Sequence, residues 1–393
     1  MITTRNRTFF KIVENKNIIV LQLKHRKLFK WNASSKPSLV VLSKMSTVEQ
    51  KKSVKSVVLE AYGGYDKLKV QDWPLDELGD NDVRVRVELC GNNFSDIYTR
   101  QGFLRQLTTP RVLGTECFGT VESIGNDVKN FQCGDRVVCY VWTGGLFRET
   151  VVVPAINCFS VPASVSGRDA VALPANYLTA YMSIFTMGNL RPRDTILVHS
   201  AGGGVGCAIA QLAKTVDNVT VVGTASAFKH EKIREIGVHH TLLHENYVEQ
   251  ARAVCPKGFD LIVDSKGGPN IELSQKLLKP CGRLVIIGAS TYINGDTLNT
   301  LKAMSVKWRT KSIDPEKIIQ RNICVSGLHL GELFDSDANK IHDVMHKLFD
   351  MIENGQIKPV IFDTVHFDRV VEAQQILAER KNIGKVLLTL SQT

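Results

Sequence analysis

Between Thr195 and Leu212 the chain reads TILVHSAGGGVGCAIAQL. Four small residues, Ala201-Gly202-Gly203-Gly204, stand between an apolar run and a helical pattern. Ala201, Gly203 and Gly206 fit A-x-G-x-x-G, and Val205, Ala208, Ile209 and Leu212 follow at i, i+3, i+4 and i+7. A buried strand thus feeds a tight turn that opens a helix. Such a turn presents unpaired N–H groups and the positive end of a helix dipole to a diphosphate, and glycine lets the backbone approach it. The residues point to dinucleotide binding.

Whether the dinucleotide carries a 2′-phosphate is read from the next strand, NVTVVGT at Asn218–Thr224. A site for an unphosphorylated ribose usually carries Asp or Glu just beyond such a strand. Here the chain continues ASAFKHEK, with no acid directly after the strand and Lys229 close by. A carboxylate would repel a 2′-phosphate and a lysine attracts it, so NADP(H) is expected over NAD(H). Asn92–Gly102 (NNFSDIYTRQG) supplies the other polar cluster. Tyr98 is its phenol, protonated at neutral pH and able to donate a proton. Asp96 and Arg100, at i and i+4, are positioned to pair with each other.

Two kinds of element position these groups. From Val57 onward short strands recur between Gly, Asp and Asn turns: SVVLEAY, DVRVRVELCG, FGTVESIG, DRVVCYVW and RETVVVP. In the second, Val83, Val85, Val87 and Leu89 alternate with charged residues, as in a half-buried strand. This spacing predicts a small barrel. From about residue 178 strand–helix alternation takes over, with FDLIVDSKGG, RLVIIGAS and ICVSG as further strands. That rhythm predicts a doubly wound parallel sheet, and the fold class is α/β.

Composition narrows the function classes. The net charge of +10 is concentrated in Met1–Lys44, where ten Lys or Arg face one acid, Glu14. The remainder carries 39 basic and 38 acidic residues, a net of +1, so no nucleic-acid-binding face is expected on the body. The arm reads as a disordered tail, a mitochondrial transit peptide, or residues ahead of a later start at Met45. Nine cysteines without a C-x-x-C pair indicate reduced thiols rather than a disulfide frame or a cysteine-rich zinc site.

From about Val54 to Leu390 the chain resembles the medium-chain dehydrogenase/reductase superfamily, quinone oxidoreductase branch. GTECFGTVESIG at Gly114–Gly125, GDRV at Gly134–Val137, SAGGGVG at Ser200–Gly206 and KNIGKVLL at Lys381–Leu388 carry the resemblance. Within that branch AYGGYDKLKV, NVTVVGTASAFKHE and GLHLG are most similar to the synaptic vesicle membrane protein homologues. The resemblance implies an N-terminal extension (1–52), a chaperonin-10-like catalytic domain (53–177), an inserted Rossmann domain (178–322) and a return to the catalytic domain (323–393). The site would be the cleft between the two domains.

Asn93 and Thr115 stand where zinc-dependent relatives carry a ligand Cys and a ligand His. The resemblance therefore implies no metal, and activation of a carbonyl by hydrogen bonds. It places Asn93 and Thr179 beside the nicotinamide, and Ser200, Gly203, Val205 and Gly206 on the diphosphate. Gly223, Thr224, Ser226 and Lys229 would hold the adenosine side. His244 falls near a place where quinone reductases often use a Tyr, and His329 would neighbour the nicotinamide. Lys385 reads as an edge-strand residue. Asn93 and Tyr98 are the catalytic candidates. The implied activity is zinc-independent hydride transfer from NADPH to a quinone or α,β-unsaturated carbonyl, in a cytoplasmic homodimer, or a mitochondrial one if the arm is a transit peptide. The alternative is a nucleotide-binding scaffold acting at vesicle or mitochondrial membranes, with peripheral membrane association and little turnover.

Overall fold

The computed structural model describes residues 52–391 except 105 and 294, together with the backbone of three short strands in the N-terminal arm. Those strands, β1 (Ile12–Asn15), β2 (Ile18–Leu23) and β3 (Lys27–Lys30), pair as an antiparallel meander within a separate unit, Met1–Lys51. The expectations of a tail or targeting segment otherwise lie outside the described residues.

Lys52–Thr393 is one compact unit. Its first strands are β4 (Ser53–Leu59), β5 (Leu68–Pro74), β6 (Asp82–Asn92), β7 (Arg111–Val112), β8 (Glu116–Ile124), β9 (Arg136–Tyr140), β10 (Thr150–Pro154) and β11 (Cys158–Ser160). Then come β12 (Thr195–Val198), β13 (Thr220–Thr224), β14 (His240–Leu242), β15 (Phe259–Asp264), β16 (Leu278–Ile286) and β17 (Cys324–Gly327). The last two are β18 (Ile361–His366) and β19 (Lys385–Thr389).

A seven-stranded sheet, β11-β9-β8-β6-β19-β18 with β10 on β6, and a three-stranded sheet, β5-β4-β7, enclose the first core. Val83, Val85 and Val87 point into it as the alternation predicts. The pattern fails at Leu89. A register shift between Val87 and Leu89 sends Cys90 into the core instead, while Leu89 packs on the neighbouring core. Such an irregularity re-aims the end of a strand. Here the strand runs on through Asn92 to Asn93, which sit at the cleft.

The six-stranded sheet has order β14-β13-β12-β15-β16-β17 and is parallel throughout. Numbered within the domain this is 3-2-1-4-5-6, and ligands bind such sheets beyond the carboxyl ends of the strands, where the order reverses. All six residues of β15 are buried, as a central parallel strand requires. One boundary is corrected. β17 continues the parallel ladder on β16, from Arg283↔Cys324 to Ile286↔Gly327, so the chain is still in this sheet at Gly327 and does not leave it at 322. The helix Ala338–Glu353 then packs Val344, Met345, Leu348 and Phe349 into the core shared with Leu173 and Tyr177. The chain rejoins the seven-stranded sheet only at β18 and β19.

Candidate functional site

The glycine turn lies at the end of β12. Ser200 takes a left-handed conformation (φ 58°), and its N–H donates to Thr224 Oγ1 at 3.1 Å. The N–H of Ala201 donates to the carbonyl of Thr224 at 2.9 Å. The glycines of the turn do different work. A Cβ on Gly204 would lie 2.2 Å from Asn176 Nδ2, and one on Gly206 would lie 2.6 Å from Ala201 Cα. On Gly203 it would meet only Ser200 O, at 3.3 Å. Gly203 is the N-cap of helix Gly204–Ala213 and offers no side chain to its first N–H groups. Ser200, Gly203, Val205 and Gly206 line a cavity of about 320 Å³. Ala201, Gly223 and Thr224 do not. They brace the turn from behind: a Cβ on Gly223 would sit 2.5 Å from Ala201 Cβ.

One end of this cavity is basic. Ser226, Lys229, His244 and Arg380 line it. Lys229 is only 5% exposed; its stem runs beneath Gly202 and its Nζ donates to Asn382 O at 2.5 Å. Burial lowers its pKa to about 8. Burial, then Lys266 and Arg380, push His244 down to about 4, so its ring is neutral at pH 7. Arg380 was not foreseen from sequence. It has a left-handed backbone (φ 56°), and its guanidinium makes no hydrogen bond or ion pair with any described residue. It directly precedes the KNIGKVLL landmark, the one signal that could have drawn attention to it.

The other end is built around Asn93. Its Nδ2 donates to Glu116 Oε1 at 2.9 Å and to Thr115 Oγ1 at 3.1 Å. Its Oδ1 accepts from Lys385 Nζ at 2.5 Å, and Lys385 also pairs with Glu116. Both side chains of that ion pair are almost wholly buried. The edge-strand expectation for Lys385 is corrected, because β19 is paired on both sides, with β18 and β6. GKVLL resembles an ordinary apolar strand, and nothing local signals the buried carboxylate that Lys385 meets.

Asp96 and Arg100 do not pair. Asp96 accepts from the N–H groups of Asn93 (2.9 Å) and Gly114 (3.2 Å), closing the first turn of helix Phe94–Arg100, and burial pushes its carboxyl up to about 7. Arg100 instead bonds Gln374, Gly63 and Asp296. Tyr98 lines the cavity; its hydroxyl accepts the N–H of Ala289 at 3.2 Å, and burial pushes it up to about 12. Thr179 lines the same wall. His329 does not reach the cavity. Its Nδ1 accepts from Glu332 N at 3.0 Å, capping helix Leu330–Ser336, and its ring sits edge-on to Trp142. The neighbouring Leu330 lines the cavity instead.

The donor set does not fit zinc. Where a metal would need thiolate or imidazole, the structure has an amide, a hydroxyl and a carboxylate already neutralised by an ammonium group. A nicotinamide dinucleotide does fit. The helix N-terminus is uncapped, Gly203 leaves the turn open to the cavity, and the basic end holds an unpaired guanidinium.

The profile described as "Alcohol dehydrogenase GroES-like domain" matches residues 79–163, and "Zinc-binding dehydrogenase" matches 236–388. The synaptic vesicle membrane protein VAT-1 homolog of Danio rerio is 41% identical over 85% of this chain and 70% of its own length. The crystal structure of a Pseudomonas syringae quinone oxidoreductase superposes with TM-score 0.75 at 26% identity, covering 86% of this chain and 99% of that one. A mycobacterial structure complexed with NADPH gives TM-score 0.75 at 25% identity, covering 86% of this chain and all of that one. The architecture, the glycine turn and these likenesses agree: the chain belongs to the medium-chain dehydrogenase/reductase superfamily, among the VAT-1 homologues and beside the quinone oxidoreductases.

Proposed function

We propose that the chain is a zinc-independent, NADPH-dependent reductase acting on a quinone or an α,β-unsaturated carbonyl. The observation that carries this is one cavity lined by the glycine turn, the basic end and the Asn93–Lys385 end, where the side chains are an amide, a hydroxyl and a paired carboxylate. The N–H groups opening helix Gly204–Ala213 hold the diphosphate. Lys229 and Arg380 hold the 2′-phosphate, with neutral His244 as a hydrogen-bonding neighbour. Thr179 and Asn93 flank the nicotinamide. When bound, that cofactor supplies the hydride. Lys385 and Glu116 hold Asn93 in place, while Phe94 and Tyr98 exclude water from the acceptor. A homodimer through the exposed edge of β17, in the cytoplasm, completes the reading. The test is to titrate NADPH and NADH into the purified protein and then screen quinones and enals for oxidation of bound NADPH. Tighter binding of NADH, or no oxidation with any acceptor, would count against it.

A second reading, a scaffold at membranes, rests on one surface feature. Leu301, Met304 and Trp308, at i, i+3 and i+7 of helix Thr300–Arg309, are 79%, 67% and 90% exposed. Lys302, Lys307 and Arg309 are interspersed with them along the same helix. Apolar and basic groups together suit an anionic bilayer surface. No helix among the described residues is long and apolar enough to cross a membrane. Co-sedimentation with phosphatidylserine vesicles, reduced in Trp308→Ala and absent with neutral lipid, is the expected result. Equal behaviour of both proteins would remove this reading.

A further inference from the structure

The cavity has a polar feature to which the proposed cofactor contacts assign no role. Tyr140, at the end of β9, lines the same cavity as Thr115 and Asn93. It is only 6% exposed, yet its hydroxyl makes no hydrogen bond to any described residue. Buried phenols usually find a partner. In the antiparallel ladder Tyr140 faces Glu116 directly, so the two side chains share one face of the sheet. Glu116 itself is bound by Asn93, Lys385 and the N–H of Ala175. Thr115, one residue earlier, accepts from Asn93 Nδ2 and donates to no described residue. Two hydroxyl hydrogens therefore remain unspent on the lining of this cavity, one on Thr115 at the Asn93 amide and one on Tyr140 across the ladder from Glu116.

We propose that Tyr140 and Thr115 form a two-donor site for the oxygen of the acceptor: the carbonyl of an enone, a quinone oxygen, or the phenolate that resembles its reduced form. The proposal rests on the reductase reading and adds the residues that would receive the acceptor's oxygen. Hydroxyl donors suit this task because they stabilise negative charge building on oxygen without needing a metal. Burial, then Glu116 and Asp335, keep the Tyr140 phenol far above its ordinary pKa, so it remains a donor throughout the working pH range. Phe334, edge-on to the Tyr140 ring at 6.0 Å between centroids, fixes its orientation.

The test uses the full chain with NADP⁺ and 4-nitrophenol as probe, following the visible band of the bound phenolate. Tyr140→Phe and Thr115→Val are each expected to weaken phenolate binding about tenfold, and the double variant about a hundredfold. NADP⁺ affinity and the melting temperature should stay as in wild type. With a productive acceptor, kcat should fall on the order of a hundredfold in Tyr140→Phe. Equal phenolate affinity in wild type and both variants would overturn the proposal, as would wild type that does not bind phenolate saturably. Turnover untouched by Tyr140→Phe would sink the oxygen site and leave the reductase reading standing. Tyr140-dependent phenolate binding without any turnover would do the reverse.

Discussion

Replacing Lys385 with Met keeps the length of the side chain and removes the charge. Lys385 and Glu116 are almost fully shielded from water, and Lys385 also holds Asn93 Oδ1. In Lys385→Met the Glu116 carboxylate stays buried and keeps two neutral donors, Asn93 Nδ2 at 2.9 Å and Ala175 N at 2.7 Å. Breaking a buried pair on one side typically costs about 3–5 kcal/mol, because the surviving charge is left uncompensated. The two remaining donors place the expected loss near the lower end, at about 3 kcal/mol. Removing both charges in Lys385→Met/Glu116→Gln should recover most of it, leaving the double variant within about 1 kcal/mol of wild type. Urea unfolding followed by tryptophan fluorescence reads the three proteins side by side. A single variant less than about 1 kcal/mol below wild type, or a double variant no better than the single, would refute a desolvated ion pair at this position.

Arg380→Ala and Lys229→Ala should each weaken NADPH binding at least about tenfold by calorimetry while leaving NADH binding unchanged, since each removes one charge-assisted partner of the 2′-phosphate. The preference for NADPH over NADH should also decline as pH rises past about 8, because Lys229 loses its proton there; a ratio constant between pH 7 and pH 10 would contradict that role. Gly204→Ala should destabilise the protein by about 1–3 kcal/mol, because the new methyl would meet the Asn176 amide at 2.2 Å, and a melting curve matching wild type would show that the turn can yield.

Much of the framework was legible because it is written in short-range pattern. The apolar run of β12, the small residues after it and the 3.6-residue period beyond announce a strand, a turn and a helix wherever they occur. The barrel strands were equally visible, except where a register shift at Leu89 broke the period and exchanged that residue for Cys90 in the core. Ser200, Gly203, Val205 and Gly206 could be placed on the cavity because their local conformation alone aims them there.

The remaining site residues depend on which distant segments meet. His329 looked available until the helix it caps claimed its ring nitrogen, and Asp96 turned from Arg100 to its own backbone cap. Arg380 and Lys385 are more than 150 residues beyond the glycine turn and join the cavity only because β19 inserts between β6 and β18. The chain's pattern thus determined the two kinds of sheet and the phosphate-facing turn, since backbone conformation and burial period are local properties. Tertiary structure alone decided which charges are buried together and which hydroxyls remain unpaired. Desolvation and hydrogen-bond satisfaction belong to a completed neighbourhood, and no stretch of sequence contains one.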